Sequence, residues 1–227
     1  MNELYFFGFF FLSILLILGV FRMGKEYIYG MIAVLAVLMN IFVLKPFEIF
    51  GLTTYGGNIL YGCIFFCTDL LAEHYGKKEA LKAVRIGFIS LILYFIASQY
   101  YLHLETNFDI EGAEAVQSAL TTIFAPAWGI VLASLSAFLI SNILDVHIYD
   151  WIHKKTGSRH LWLRNNASTF FSQLVDTITF TFIAAAFGIF DWKIVGDIIL
   201  FAYIFKILVA ALDTPFLYLS RVIQKHE

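Results

Sequence analysis

Long apolar runs, separated by short clusters of charge, recur along the whole chain. A bilayer's hydrocarbon core is about 30 Å thick and a helix rises about 1.5 Å per residue, so one crossing takes about 20 residues. Seven runs come near that length: Leu4 to Phe21, Tyr27 to Leu44, Gly57 to Glu73, Val84 to Leu102, Ile123 to His147, Ala167 to Phe187 and Ile194 to Leu219. The pattern predicts an all-α fold, a polytopic transmembrane helix bundle of seven helices. The third run is short and carries Asp69 and Glu73, so six helices plus a re-entrant segment there are the alternative. His103 to Thr122, the longest connection, reads as a solvated loop or a short surface helix. No linker or soluble portion interrupts the pattern, and residues 1–227 read as a single integral membrane transport domain.

Composition removes the other broad class. The 227 residues are 60% hydrophobic and 14% charged, with a mean hydropathy of +0.81, whereas a water-soluble surface needs roughly a quarter of its residues charged. The lipid bilayer is therefore the chain's surroundings. A net charge of -2 marks no nucleic-acid partner. Asn2 and Glu3 stand where a signal peptide would place basic residues, so the first run reads as a retained helix. Cys63 and Cys67, four apart in an apolar run, read as small core residues, and neither a metal nor a cofactor is expected.

The positions of the basic residues orient the chain. With seven crossings, one set of connections holds Arg22, Lys25, Lys77, Lys78, Lys82, Arg85, Lys154, Lys155, Arg159, Arg164, Arg221 and Lys225, and the opposite set only Lys45 and Lys193. Basic loops stay in the cytoplasm, which puts the N-terminus outside and the C-terminus inside. Exclusion of positive charge from the outer face also accounts for the acidic stretch Glu105, Asp109, Glu111 and Glu114.

Polar residues inside the runs carry the functional information. A charge at a helix centre costs about 2.5–3.5 kcal/mol on insertion scales, so each one kept there asks for a partner or a wet cavity. Asn58, Asp69 and Glu73 lie on the third run. Ser141, Asn142 and Asp145 end the fifth, Thr169, Ser172, Gln173, Asp176 and Thr177 mark the sixth, and Lys206 and Asp213 the seventh. Ser141 to Asp145 and Ser172 to Asp176 both read Ser, carboxamide, two aliphatics, Asp, and would present two amide-and-carboxylate forks to one cavity. A network gluing the helices together, with Lys206 neutralising Asp213 or Asp176, explains any one of these residues equally well. The surplus of carboxylates over lysine favours a polar cavity. Tyr61, Phe65, Phe170, Phe171 and Phe180 lie near enough to supply a stacking face for a heterocycle, although most rings in such a chain pack or face lipid.

Several stretches together resemble the queuosine precursor transporter family, also called vitamin-uptake-transporter-like. They are Gly57-Asn58-Ile59-Leu60-Tyr61-Gly62, the run from Thr68 to Ala80, His160-Leu161-Trp162-Leu163-Arg164-Asn165-Asn166-Ala167-Ser168-Thr169, Ser172-Gln173-Leu174-Val175-Asp176-Thr177, and Asp213-Thr214-Pro215. The resemblance extends from Gly57 to Tyr218 and implies import of queuine or a 7-deazaguanine precursor across the bacterial inner membrane, for tRNA modification. It carries over Asn58, Asp69, Glu73, Asn142, Asp145, Arg164, Asn165, Gln173, Asp176, Lys206 and Asp213 as candidate substrate-binding residues. A deazaguanine's amino and ring N–H groups suit Asp176 or Asp145, its carbonyl suits Gln173 or Asn142, and an aminomethyl cation suits Asp69 or Glu73. Arg164 and Asn165 serve equally as a cytoplasmic anchor and N-cap of the sixth helix.

Two other functions fit less well. A substrate-binding subunit of a multi-component importer would dock through small residues on its first helix, where this chain has only Gly8, Ser13 and Gly19. An intramembrane enzyme lacks both a glycine-flanked Asp within a span and a Ser nucleophile with a nearby His. A nucleobase-like small molecule is the expected partner, and a homo-oligomer remains open.

Overall fold

A computed structural model describes residues 1–125, 128–157 and 159–224. Lys225 lies outside the described residues, as do residues 126 and 127 of the expected fifth helix. In chain order the elements are α1 (Asn2–Phe21), α2 (Lys25–Phe42), the strands β1 (Pro46–Ile49) and β2 (Leu52–Tyr55), α3 (Gly57–His74), α4 (Lys77–Leu102), α5 (Ala113–Phe124), α6 (Trp128–Thr156), α7 (Leu161–Ala186) and α8 (Val195–Gln224). α5 is the short surface helix allowed for in the longest connection, and none of its residues is buried.

Contacts at the helix ends show that the seven long helices alternate in direction. Lys25 at the start of α2 pairs with Glu79 near the start of α4, and Lys77 reaches Asp150 near the end of α6. Glu73 at the end of α3 is held by Arg164 of α7 and Arg221 of α8. The basic residues thus gather at one end. At the other, Asn2 donates to the Glu48 carbonyl and the Phe50 N–H donates to Glu3, while Gly129 abuts Phe187 and Ile189.

α3 is one uninterrupted helix between these ends, not a re-entrant segment. Six described helices are long and apolar enough to cross a membrane by length and composition. α3 is less apolar, and the fold explains why this is tolerated. Fifteen of its 18 residues are buried, because α1, α2, α4, α6 and α8 all pack around it. A helix screened from lipid needs no lipid-compatible surface. Cys63 and Cys67 are among its fully buried residues.

Helix ends depart from the hydropathy limits. α4 begins at Lys77 rather than Val84, α7 at Leu161 rather than Ala167, and α6 and α8 run on to Thr156 and Gln224. Hydrophobicity marks where hydrocarbon stops, whereas backbone hydrogen bonding carries a helix on into the interface, where Lys and Arg reach water. The stretch up to Phe124 belongs to α5, and α6 starts at Trp128. The hairpin between α2 and α3 was not expected. Its two-residue turn places Phe50 and Gly51 at φ 50° and 77°, the conformation of a type I′ turn, without the Asn-Gly or Asp-Gly signal that usually marks one.

The approach of α3 to α8 depends on Gly62, where a Cβ would stand 2.3 Å from Val209 Cγ1. Gly62→Ala is expected to cost about 1–3 kcal/mol through overpacking, and Val209→Ala to restore most of that loss. Thermal unfolding in detergent tests both, and an unchanged midpoint for Gly62→Ala would count against this packing.

Candidate functional site

Positions 61, 69 and 73 of α3, 141, 145 and 149 of α6, and 206, 213 and 221 of α8 recur at four, seven or eight residues, which keeps each set on one face of its helix. Together with α7 these faces enclose three stacked tiers of polar side chains.

In the first tier, near the middle of the bundle, Asp176 is the hub. Lys206 and Tyr61 both donate to its carboxylate, and Ser141 Oγ lies 3.2 Å from Oδ1 and 2.9 Å from the Tyr61 hydroxyl. Lys206 Nζ also stands 5.0 Å from the Tyr61 ring centroid. Of the two aspartates considered for Lys206, the pairing falls to Asp176.

The third tier, at the basic end, centres on Glu73. Arg164 Nη2 donates to both carboxylate oxygens at 2.7 Å and Nε donates to Oε2 at 3.0 Å. Arg221 binds Oε1 through Nε at 2.8 Å and Nη2 at 2.5 Å, and the Tyr149 hydroxyl donates to Oε2 at 2.6 Å. Arg164 Nη1 donates to the Gly157 and Arg159 carbonyls. Arg164 is fully buried, so it is not an interfacial anchor. Nor does Asn165 cap α7, which starts at Leu161 after His160.

Between these lies a tier of a different kind. Asp69, Asp145 and Asp213 come from α3, α6 and α8, each at most 1% exposed. Thr169 Oγ1 donates to Asp69 Oδ2 at 3.4 Å, and Asn165 Nδ2 donates to Asp213 Oδ1 and Thr214 Oγ1, both at 3.0 Å. Asp145 faces Ser168, Thr169, Ser172 and Asp69. Neither of its oxygens has a hydrogen-bond partner among the described residues, and the same holds for Asp69 Oδ1, Asp213 Oδ2, Asn165 Oδ1 and Ser172 Oγ. No Lys or Arg among the described residues forms an ion pair with any of the three carboxyls.

The matched Ser-to-Asp stretches of α6 and α7 do not form two forks. The helices run antiparallel, so the serine of one is set against the aspartate of the other: Ser141 meets Asp176, and Ser172 faces Asp145. Asn142 donates to the Phe138 carbonyl of its own helix at 2.8 Å, and both its Oδ1 and Gln173 Oε1 are buried without a partner. Asn58 stands apart from the tiers, donating to Thr54 Oγ1 at 3.0 Å and tying α3 to the hairpin. A cavity of about 680 Å³ lies away from the tiers, lined mostly by apolar residues of α2, α4 and α5.

Sequence reasoning missed several partners. Tyr149 follows Asp145 by four residues, which places it on the same face, and Arg221 follows Asp213 by eight, which is a weaker signal. Tyr61 entered as a ring, while its hydroxyl is what joins the first tier. Pro215 lies inside α8 and has no N–H to donate, which loosens the helix beside Asp213 and Thr214.

Membrane-length helices enclosing tiers of ionisable side chains have the architecture of a membrane transporter. Residues 55–220 match the family described as "Putative vitamin uptake transporter", and the chain belongs to that family. It is 40% identical over 200 residues to the "Probable queuosine precursor transporter" of Bacillus subtilis (strain 168), covering 87% of this chain and 85% of the relative. The "Queuosine precursor transporter" of Escherichia coli (strain K12) is 32% identical over 178 residues, 75% of this chain and 74% of that protein. No solved structure matches the chain.

The two arginines on Glu73 differ in burial, and that sets a measurable order. Arg164→Ala leaves a buried carboxylate short of its main partner and is expected to cost about 3–5 kcal/mol. Arg221 has a side chain 28% exposed, so Arg221→Ala is expected to cost less. Thermal unfolding of the purified variants tests the order, which equal losses would contradict.

Proposed function

We propose that the protein imports queuine or a 7-deazaguanine precursor of queuosine across the bacterial inner membrane, for use in tRNA modification. The names of its relatives support the substrate. The observation that carries the reading is the set of buried acceptors without donors near the first tier, Asn142 Oδ1 and Gln173 Oε1. Such groups call for a ligand rich in N–H donors, and the edge of a deazaguanine offers an amino group and ring N–H groups.

In this reading Asn142 and Gln173 read the edge of the base beside Asp176 and Lys206. Tyr61, which is 5.3 Å from the Phe65 ring centroid and 6.4 Å from that of Phe138, supplies the aromatic face. The Glu73, Arg164 and Arg221 tier closes the path toward the basic end, and Asn58 steadies the entrance through the hairpin. No bond of the base is made or broken, so the protein is a carrier and not an enzyme. The N-terminus lies outside and the C-terminus in the cytoplasm, an orientation supported by the gathering of Lys and Arg at one end. Residues 1–227 act as one transport domain, without a separate energising subunit.

Expression in a queuosine-deficient strain that lacks its own importer should restore tRNA modification when one of the candidate bases is supplied at low concentration. No restoration by any of them would end the substrate assignment. Gln173→Ala, present at normal membrane levels, is expected to reduce uptake about tenfold or more, because it removes a desolvated hydrogen-bonding group. Wild-type uptake by that variant would remove Gln173 from the site. A reporter fused to the C-terminus should be active in the cytoplasm, and periplasmic activity would overturn the orientation.

A further inference from the structure

The middle tier has no place in base recognition as described, yet it holds three buried carboxyls that no Lys or Arg among the described residues neutralises. Above it, Lys206 is engaged by Asp176. Below it, two arginines face one glutamate, leaving at most a single surplus positive charge against three acids. Out of water, three ionised carboxylates against so little compensation are not sustained. Among the described residues no group of three or more His, Cys, Asp or Glu is arranged to hold a metal ion.

The contacts themselves call for hydrogen. Asp69 and Asp145 lie beside one another, and two neighbouring carboxyls out of water do not both stay ionised. Ser172, fully buried and facing Asp145, has a hydroxyl without a partner. Asn165 uses its amide N–H on Asp213 and Thr214, which leaves its carbonyl oxygen unbound. Both can accept a hydrogen bond from a protonated carboxyl, and the Ser172 hydroxyl can equally donate to an ionised one. Other titratable groups do not fill the role. Cys63 lies near Asp213 and Cys67 near Asp69, while Tyr149 of α6, near Asp69, is bound to Glu73. α1 brings Ser13 to Cys63. Lys25 and Tyr29 of α2 meet Glu79 and Lys82 of α4 at the basic end, His74 meets Ser220, and Tyr94 lines the apolar cavity.

We propose that uptake is coupled to protons and that the tier of Asp69, Asp145 and Asp213 carries them. A proton from the outer water forms an O–H bond on one carboxylate of the Asp69 and Asp145 pair. The same O–H bond breaks toward cytoplasmic water after the closures on either side have exchanged states. Nothing is oxidised or reduced, and Asp213, beside the pair, accepts the proton in transit. This rests on the import reading, and the experiment separates the two.

Purified protein in liposomes, with the membrane potential clamped, is given labelled queuine or precursor. Exchange of labelled for unlabelled base at equal pH on both sides tests import alone, and its absence would sink the import reading and this inference with it. An outside more acidic by about one pH unit should then drive accumulation of about tenfold, one proton per base. An entrapped pH dye should report proton entry with the base, and a sodium gradient should have no effect. Exchange without acid-driven accumulation, or accumulation driven by sodium, would overturn proton coupling. For Asp145→Asn and Asp69→Asn, the ratio of accumulation to exchange should fall from about ten toward one. A wild-type ratio in both would remove the tier from the role.

Discussion

An ionised side chain in hydrocarbon has no water to solvate it, and that cost organises this bundle. α3, with Asp69 and Glu73, fits only where other helices screen it from lipid, and α1, α2, α4, α6 and α8 supply that screen. α2 and α4 turn much of their apolar surface outward, with Val34, Ile89, Leu93 and Ile96 exposed. The polar positions of α6, α7 and α8 turn inward to meet those of α3, and the tiers follow from this arrangement.

The tiers differ in how their charge is answered. Asp176 with Lys206, and Glu73 with two arginines, are closed systems in which carboxylate and cation compensate one another's loss of water. Such pairs are costly to break from one side. Opening a path from either face means separating one of these tiers while the other stays shut, so the same contacts that hold the helices together also keep the interior sealed. The middle tier has no such answer within the described chain, which is why chemistry brought in from outside is required there.

The antiparallel repeat in α6 and α7 illustrates how sequence and assembly interact. A Ser-x-x-x-Asp stretch on each of two helices running in opposite directions brings hydroxyl to carboxyl at two levels, one per tier. The same two words in parallel helices would have set aspartate against aspartate. Carboxamides next to the serines are then left over, and Asn142 Oδ1 and Gln173 Oε1 have no donor among the described residues.

Much of this was legible in the chain alone. Apolar runs long enough for a bilayer marked six of the seven long helices, because span length is a local property set by the thickness of hydrocarbon, while the short, charged third run left a re-entrant segment open. The one-sided distribution of Lys and Arg determined that the basic connections share an end, since alternation needs only counting. The cost of intramembrane charge singled out Asp69, Glu73, Asp145, Asp176, Lys206 and Asp213 as residues with a purpose, and the family resemblance added Arg164. What the chain could not decide was which of them meet. Lys206 pairs with Asp176 rather than Asp213, Arg164 is buried on Glu73 rather than anchored at the interface, and Tyr149 and Arg221, whose spacing gives only the helix face, meet on Glu73. Those choices join residues up to 148 positions apart, and depend on how each helix is rotated and how far it slides along its neighbours. Rotation and sliding are set by the packing of whole faces, such as Gly62 against Val209, and only the assembled bundle contains that information.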